Sequence, residues 1–221
     1  MLGCCDIIFS MKLRDDISSF LRTIPSDVTL VAATKYVDAI EINKMLDAGI
    51  TNFGENRVSD FLNKYEYFKD NKNIHWHFIG HLQRNKAKKV INLIEYLHSL
   101  DSLELAREIE KYRETPLNVF VEVSINLEEN KNGVPYYELK DFIKKLLIYK
   151  KINLVGLMMM TVKESDDKDN QFAKLYKLKT EIEKELNIPI PYLSMGMSDD
   201  YLLAIKEKAT HIRLGRILFK E

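Results

Sequence analysis

Short apolar runs alternate along the chain with segments whose apolar residues recur at helical spacing, and this alternation restricts the fold more than any other feature. The apolar runs predict eight strands, at residues 29–34, 50–54, 75–80, 96–100, 118–125, 152–160, 192–196 and 211–219. The spaced segments predict helices at residues 12–23, 39–49, 55–65, 85–94, 101–112, 136–149, 170–186 and 199–206. Strands separated by helices of this length pair in parallel. We therefore expect an α/β protein, a single (β/α)8 TIM-type barrel with an extra N-terminal helix.

An open, doubly wound sheet is the alternative to the barrel. Such sheets often carry a glycine-rich loop after the first strand, whereas Thr34, Lys35 and Tyr36 follow it here. The chain has no long linker, repeat or low-complexity tract that would divide it. We expect residues 1–221 to form one domain in which residues 1–11 are a loose extension, with Met11 as a second candidate for the initiating residue.

The charge and cysteine content exclude several classes of protein. Lysine and arginine together number 33, as do aspartate and glutamate, so the whole chain has no net attraction for nucleic acid or for anionic membranes. Cys4 and Cys5 are adjacent and cannot form the spaced pairs of a disulfide-stapled secreted domain. No apolar stretch reaches the length of a membrane-spanning helix. We expect a cytoplasmic protein with no nucleic-acid or membrane partner.

Lys35 follows the first predicted strand, and in a barrel the carboxyl ends of the strands surround the active site. An amine at the edge of an apolar core loses part of its hydration, which favours the neutral form that attacks aldehydes. A lysine that only solvates the end of a strand is nevertheless the more common case. The rest of the sequence must decide between these two interpretations.

Barrels often bind phosphate with the loops after the seventh and eighth strands. Two further segments are candidates for this role, one at the end of the seventh predicted strand and one within the eighth. Residues 194–199 read Ser-Met-Gly-Met-Ser-Asp and lead into a predicted helix start, where free N–H groups favour an anion. In the second segment Gly215 allows close approach of the backbone to a ligand, and Arg213 and Arg216 offer guanidinium groups. Taken alone each signal is weak, because the first is a common turn composition and Arg213 could equally be a structural ion-pair partner.

Other chemistry receives less support. Ser194 lacks the glycine two residues earlier that a hydrolase nucleophile elbow requires, since Tyr192 stands there. His75, His77 and His81 alternate, but no carboxylate or cysteine completes a metal site, so structural or surface roles are favoured. We assign neither a metal site nor a catalytic residue.

Six groups of residues, spread over most of the chain, carry a resemblance to a known family. They are Ala33-Thr34-Lys35, Asn52-Phe53-Gly54-Glu55-Asn56, His77-Phe78-Ile79-Gly80 with Leu82-Gln83 and Asn85-Lys86, Gly156-Leu157-Met158, Ser194-Met195-Gly196-Met197-Ser198, and Arg213-Leu214-Gly215. In these the chain resembles the pyridoxal phosphate homeostasis protein family, whose barrel is similar to the N-terminal domain of alanine racemase.

The resemblance implies a cofactor, pyridoxal 5′-phosphate (PLP), carried as a Schiff base on Lys35. It also implies a phosphate site made by Ser198 and the backbone of Gly215 and Arg216, with Ser194 close by. Arg213 would face the pyridine nitrogen. Because a guanidinium keeps its protons, this nitrogen would stay neutral and the ring would be a poorer electron sink. Many relatives have threonine where Arg216 stands, so a hydroxyl contact to the phosphate is not expected there.

The implied function is PLP binding in intracellular vitamin B6 homeostasis, by a monomer. PLP-dependent enzymes that receive the cofactor are the candidate protein partners. The alternative is a weak PLP-dependent amino-acid racemase with Lys35 as a base, although the second domain of related racemases is not expected after the eighth strand. A third interpretation is a phosphosugar-binding barrel without Schiff-base chemistry.

Overall fold

Eight parallel strands close into a barrel in the computed structural model, which describes residues 11–126, 132–161 and 167–220. The strands of the barrel are β1 (Thr29–Ala33), β2 (Asn52–Glu55), β3 (His75–Phe78), β4 (Tyr96–Leu100), β5 (Leu117–Ser124), β7 (Ile152–Met158), β8 (Tyr192–Ser194) and β9 (His211–Leu214). The two-residue strand β6 (Val134–Pro135) pairs only with the outer end of β5. Pairing of β4 with β5 and of β1 with β9 completes the ring. The predicted barrel is confirmed.

The helices are α1 (Ile17–Leu21), α2 (Ala39–Asp47), α3 (Val58–Phe68), α4 (Arg84–Ala87), α5 (Leu103–Tyr112), α6 (Leu139–Leu146), α7 (Lys168–Leu186) and α8 (Tyr201–Lys206). Two of their starts follow from side-chain capping. Asp38 accepts a hydrogen bond from the Glu41 amide at 2.9 Å, and Ser102 accepts one from the Leu105 amide at 3.4 Å. The predicted N-terminal extension, apart from Met11, lies outside the described residues, as do Cys4 and Cys5.

The outer face of the barrel is apolar and packs on the helices. Trp76 of β3 contacts Phe53 of β2 and Phe61 of α3, with ring centroids 6.0 and 5.5 Å apart. Burying a side chain of this kind stabilises the folded state by roughly 1.5–3 kcal/mol. None of the helices that the structure describes combines the length and hydrophobicity needed to cross a membrane.

Several predicted elements are shorter than their sequence patterns suggest, and for two of them the structure shows the cause. The eighth predicted strand, residues 211–219, ends at Leu214 because Gly215 leaves extended geometry (φ −119°, ψ −96°), and Arg216–Leu218 form a 3₁₀ turn. The predicted helix 85–94 is regular only over Arg84–Ala87. Beyond it, the Arg113 guanidinium draws the Ile91 and Ile94 carbonyls into hydrogen bonds of its own, which competes with continued helix.

The first and third predicted helices also start later than expected. The segment before α1 pairs with the end of the chain instead, through the Leu13–Phe219 bridge and a bond from the Lys220 amide to the Lys12 carbonyl. Glu55 was predicted to open a helix, but it ends β2 because its buried side chain is held by neighbouring residues. The helix α3 begins at Val58.

Candidate functional site

Lys35 lies two residues beyond the end of β1, at the carboxyl end of the barrel. Its side chain is half-buried, and Nζ stands 4.6 Å from the centroid of the exposed Tyr36 ring. A hydrogen bond from Lys35 lowers the pKa of the Tyr36 hydroxyl. The structure therefore places a primary amine where the architecture of the barrel puts its chemistry.

Strand pairing brings the segment after β9 next to Lys35. Ala32 of β1 pairs with Leu214 of β9, so the residues that follow the two strands are neighbours. A side chain at Gly215 would meet only Ala33, at 3.7 Å, so there is room above this glycine. A ligand linked to Lys35 could approach the Gly215 backbone through this space.

Two backbone amides converge on the Ser198 hydroxyl. The Gly215 and Ile217 amides both donate to Ser198 Oγ, at 3.3 and 3.4 Å. A hydroxyl and two N–H groups meeting at one point form a donor set that suits a phosphate group. A cleft of about 740 Å³ beside this group is lined by Ser198 and Arg216 together with residues of the segment before α1 and of the chain end, and Lys35 is not part of its lining.

The loop that carries Ser198 is held by a buried carboxylate. Asp200 accepts hydrogen bonds from the Met197 amide and from the Thr161 hydroxyl, both at 2.6 Å. Gly196 turns the chain with φ of +91°, and a side chain there would lie 2.6 Å from Ala204 Cβ. The converging amides come from the segment after β9, to which the resemblance assigns a phosphate-binding backbone. The start of α8, the other place that the sequence suggested, contributes neither of them.

The Arg216 side chain is directed toward Asp199. Its guanidinium is exposed and forms an ion pair with Asp199 at 2.5 Å. The sequence offered both the guanidinium and the backbone of Arg216 to a phosphate. The ion pair occupies the guanidinium and leaves the backbone contribution, which the resemblance implies, as the one that remains.

Arg213 is buried at the carboxyl end of β9 and is held at two nitrogens. It donates to Ser194 Oγ at 2.6 Å and to the Met159 carbonyl at 2.9 Å. Burial lowers the pKa of Arg213 to about 10, which leaves the guanidinium charged at neutral pH. Arg213 and Ser194, predicted separately, form one unit.

A chain of buried side chains continues from Ser194 through the interior of the barrel. Ser194 Oγ lies 2.8 Å from His98 Nδ1, and His98 Nε2 lies 2.9 Å from His77 Nδ1. His77 Nε2 then lies 3.0 Å from Asn52 Oδ1, at the amino end of β2. The chain therefore runs from the predicted ligand site to the opposite end of the barrel.

The partners of each atom give the direction of these hydrogen bonds. Burial lowers the pKa of His77 and His98 well below the usual value, so both rings are neutral and each carries one N–H. Asn52 offers its carbonyl oxygen, so the His77 proton is on Nε2. It follows that His98 carries its proton on Nε2 and accepts from the Ser194 hydroxyl at Nδ1. Ser194 in turn accepts from Arg213. Each group in the chain therefore donates to the next one, in the direction from Arg213 to Asn52.

Glu122 of β5 is a buried acidic group that interacts electrostatically with Arg213. Burial raises the pKa of its carboxyl to about 7, repulsion from Asp101 adds to the rise, and Arg213 opposes it. The group therefore changes charge near neutral pH.

Sequence reasoning missed His98, Glu122 and the role of His77. The available signal was strand alternation, because Trp76 and Phe78 face the helices and His77 must then face the interior. His75 and His81 are exposed partners of Glu95 and Asp101. Within residues 11–126, 132–161 and 167–220, no group of three His, Cys, Asp or Glu side chains is arranged to hold a metal ion.

Comparison with known proteins gives the family. The model of the alanine racemase N-terminal domain matches residues 10–221. A pyridoxal phosphate homeostasis protein of Aquifex aeolicus is 39% identical over 197 residues, which are 87% of this chain and 86% of that protein. Its counterpart in Synechocystis is 38% identical over 208 residues, 91% of this chain and 95% of that protein. The chain belongs to the pyridoxal phosphate homeostasis protein family.

Solved structures agree with this assignment. PipY of Synechococcus elongatus without PLP is 30% identical, with a TM-score of 0.88 over 93% of this chain and 99% of that chain. PipY with PLP bound is 29% identical, with a TM-score of 0.84 over 92% and 100%. Alanine racemase of Clostridium difficile is 15% identical, with a TM-score of 0.77 over 99% of this chain and 60% of that chain, which shows a shared fold alone.

Proposed function

We propose that this member of the pyridoxal phosphate homeostasis family binds PLP and carries it as a Schiff base on Lys35, within intracellular vitamin B6 homeostasis. The observation that carries the proposal is the pairing of β1 with β9, which sets Lys35 beside the amide cluster at Ser198. PLP needs an amine for its aldehyde and a donor set for its phosphate, and these residues offer both. The relatives named for PLP homeostasis and PipY with its bound PLP support the same assignment.

Each residue has a separate part in this proposal. Ser198 and the amides of Gly215 and Ile217 hold the phosphate, and the Arg216 amide, expected from the resemblance, lies between the last two. Arg213 faces the pyridine nitrogen, and Ser194 fixes the direction of its guanidinium through the 2.6 Å hydrogen bond.

The charge on Arg213 favours a carrier over a catalyst. Bound PLP supplies an electron sink, which is strongest when the ring nitrogen is protonated. Arg213 stays charged and can only donate a hydrogen bond to this nitrogen, because it does not give up its protons. The ring nitrogen beside it therefore stays unprotonated. We infer a cytoplasmic monomer that stores PLP and hands it to PLP-dependent enzymes.

The test is the absorbance of the purified protein mixed with PLP. The wild type should develop a Schiff-base band that borohydride removes, and Lys35→Ala should not. A wild-type protein without a reducible band would contradict the proposal. Stabilisation by inorganic phosphate that is equal in both proteins, without such a band, would instead indicate a phosphosugar-binding barrel.

Racemase activity is the second candidate function. The observation that favours it is the buried carboxyl of Glu122, which interacts electrostatically with Arg213 and whose pKa of about 7 lets it exchange protons near neutral pH. Loss of α-deuterium from labelled L-alanine measures it directly. We expect no exchange at enzyme-like rates, and exchange that is abolished in Glu122→Gln would favour the racemase.

A further inference from the structure

Three residues outside the proposed ligand-binding group form a buried cluster between β1, β2 and α3. Thr34 Oγ1 donates to Glu55 Oε1 at 2.5 Å. Lys64 Nζ donates to the same carboxylate oxygen at 2.5 Å and to the Thr34 backbone carbonyl at 2.5 Å. We call Thr34, Glu55 and Lys64 the strand-end clamp.

Stability alone does not explain this cluster. The Glu55 side chain is 0% exposed and that of Lys64 is 13% exposed, so both charges have lost most of their hydration. Burial raises the pKa of the Glu55 carboxyl although Lys64 acts to lower it, and Glu55 Oε2 has no hydrogen-bond partner among the described residues. Apolar side chains of similar volume often stabilise a fold as well as such a pair does.

The clamp acts on the peptide unit that leads into Lys35. The Thr34 carbonyl, held by Lys64, belongs to the same planar peptide group as the Lys35 nitrogen. The same carbonyl accepts from the Val37 amide at 3.0 Å, and the Thr34 amide donates to the Gly54 carbonyl at 3.1 Å. Although β1 has ended at Ala33, the backbone before Lys35 therefore keeps one orientation.

We propose that Thr34, Glu55 and Lys64 are positioning residues that set the direction in which Lys35 presents its amine. The inference rests on the proposed function of Lys35. In that reaction neutral Nζ attacks the aldehyde carbon of PLP, a C=N bond forms, and the aldehyde oxygen leaves as water, with no change in oxidation state. The rate depends on how often Nζ points at the aldehyde.

The sharpest variant is Thr34→Val, which keeps the shape of the side chain and removes the hydroxyl donor. With PLP, we expect Schiff-base formation, followed by stopped-flow absorbance, to be roughly 10- to 100-fold slower. Thr34→Ser, which restores the hydroxyl, should return the rate toward that of the wild type. Affinity for pyridoxine 5′-phosphate should not change in either variant, because this analogue keeps the phosphate and has no aldehyde.

A double variant separates positioning from stability. Glu55→Leu combined with Lys64→Met replaces the ion pair by apolar groups, and we expect a folded protein with slow Schiff-base formation. Lys179→Met is the matched control, since Lys179 also pairs with a glutamate, Glu183, and its side chain is also 13% exposed. The control should react at the wild-type rate.

The outcomes are distinguishable. If wild-type protein forms no borohydride-reducible product, the proposed function fails and this inference with it. If the wild type reacts and the clamp variants react equally fast, the inference alone is overturned. A parallel loss of affinity for pyridoxine 5′-phosphate would also overturn it, because the clamp would then act by general distortion of the site.

Discussion

The Ser194 hydroxyl connects two buried parts of the barrel interior, the Arg213 guanidinium and the chain of histidines. It accepts from Arg213 and donates to His98, so one oxygen joins the charged end of the site to the histidine chain. The sequence pointed to Ser194 through the family motif, but it could not show these partners. They lie 19 and 96 residues away along the chain and become neighbours only when the barrel closes.

We expect Ser194→Ala to lower the free energy of unfolding by about 1–3 kcal/mol, because a buried guanidinium N–H and a buried imidazole nitrogen lose their partner. Urea denaturation of the protein without cofactor measures this. Ser59→Ala is the control, since the Ser59 hydroxyl forms only an exposed hydrogen bond with Asp60. Equal stability of the two variants would show that Ser194 does not hold Arg213.

The segment after β9 is the element that the sequence described least well. Its apolar residues continue the strand pattern to Phe219, but the backbone turns at Gly215 so that two amides reach Ser198. Apolar spacing reports burial, and Leu218 is buried in the 3₁₀ turn as it would be in a strand. The eight strands themselves were predictable because each is short and either largely apolar, as in residues 117–123, or alternating, as in residues 75–78.

Charge at Ser198 tests the proposed phosphate site within this element. Ser198→Asp should strongly weaken binding of pyridoxine 5′-phosphate, because a carboxylate among the donors repels the phosphate and competes for the Gly215 and Ile217 amides. Pyridoxal, which has no phosphate, provides the matched comparison and should react with Lys35 as in the wild type. Equal losses for both ligands would place the phosphate elsewhere. Calorimetric titration and absorbance give the two readouts.

At the scale of the whole molecule, the barrel interior is unusual in holding neutral histidines. His77, His98 and His211 lie within 6.4 Å of one another by ring centroids, and burial lowers the pKa of each, that of His211 to about 4. In the unfolded chain their pKa returns to about 6.5. Between about pH 4 and pH 6.5 the folded protein therefore binds fewer protons than the unfolded chain.

The contribution of these histidines to stability should consequently be complete above about pH 6.5 and should be lost as the pH decreases toward 4. His211→Gln should reduce the slope in this interval by up to about 1.4 kcal/mol per pH unit, the effect of one proton. Unfolding by urea at a series of pH values measures the slope. An unchanged slope would mean that His211 is already protonated in the folded protein.

Glu122 should act in the opposite direction. Its pKa is raised to about 7, so the folded protein keeps a proton that the unfolded chain releases above about pH 4.5, and stability falls as the pH rises through this interval. Glu122→Gln should therefore steepen the loss of stability on acidification. A shallower loss in this variant would contradict the assignment of a protonated Glu122.

Peptide mapping by mass spectrometry, after borohydride reduction of the protein with PLP, tests most directly whether Lys35 is the attachment point of PLP. We expect wild-type protein to carry one pyridoxyl-phosphate group, on the peptide that contains Lys35. In Lys35→Arg, which keeps the positive charge, this modification should disappear and no other lysine should replace it. A reduced product on another lysine, such as Lys64, or unchanged labelling of Lys35→Arg would show that Lys35 is not the attachment point.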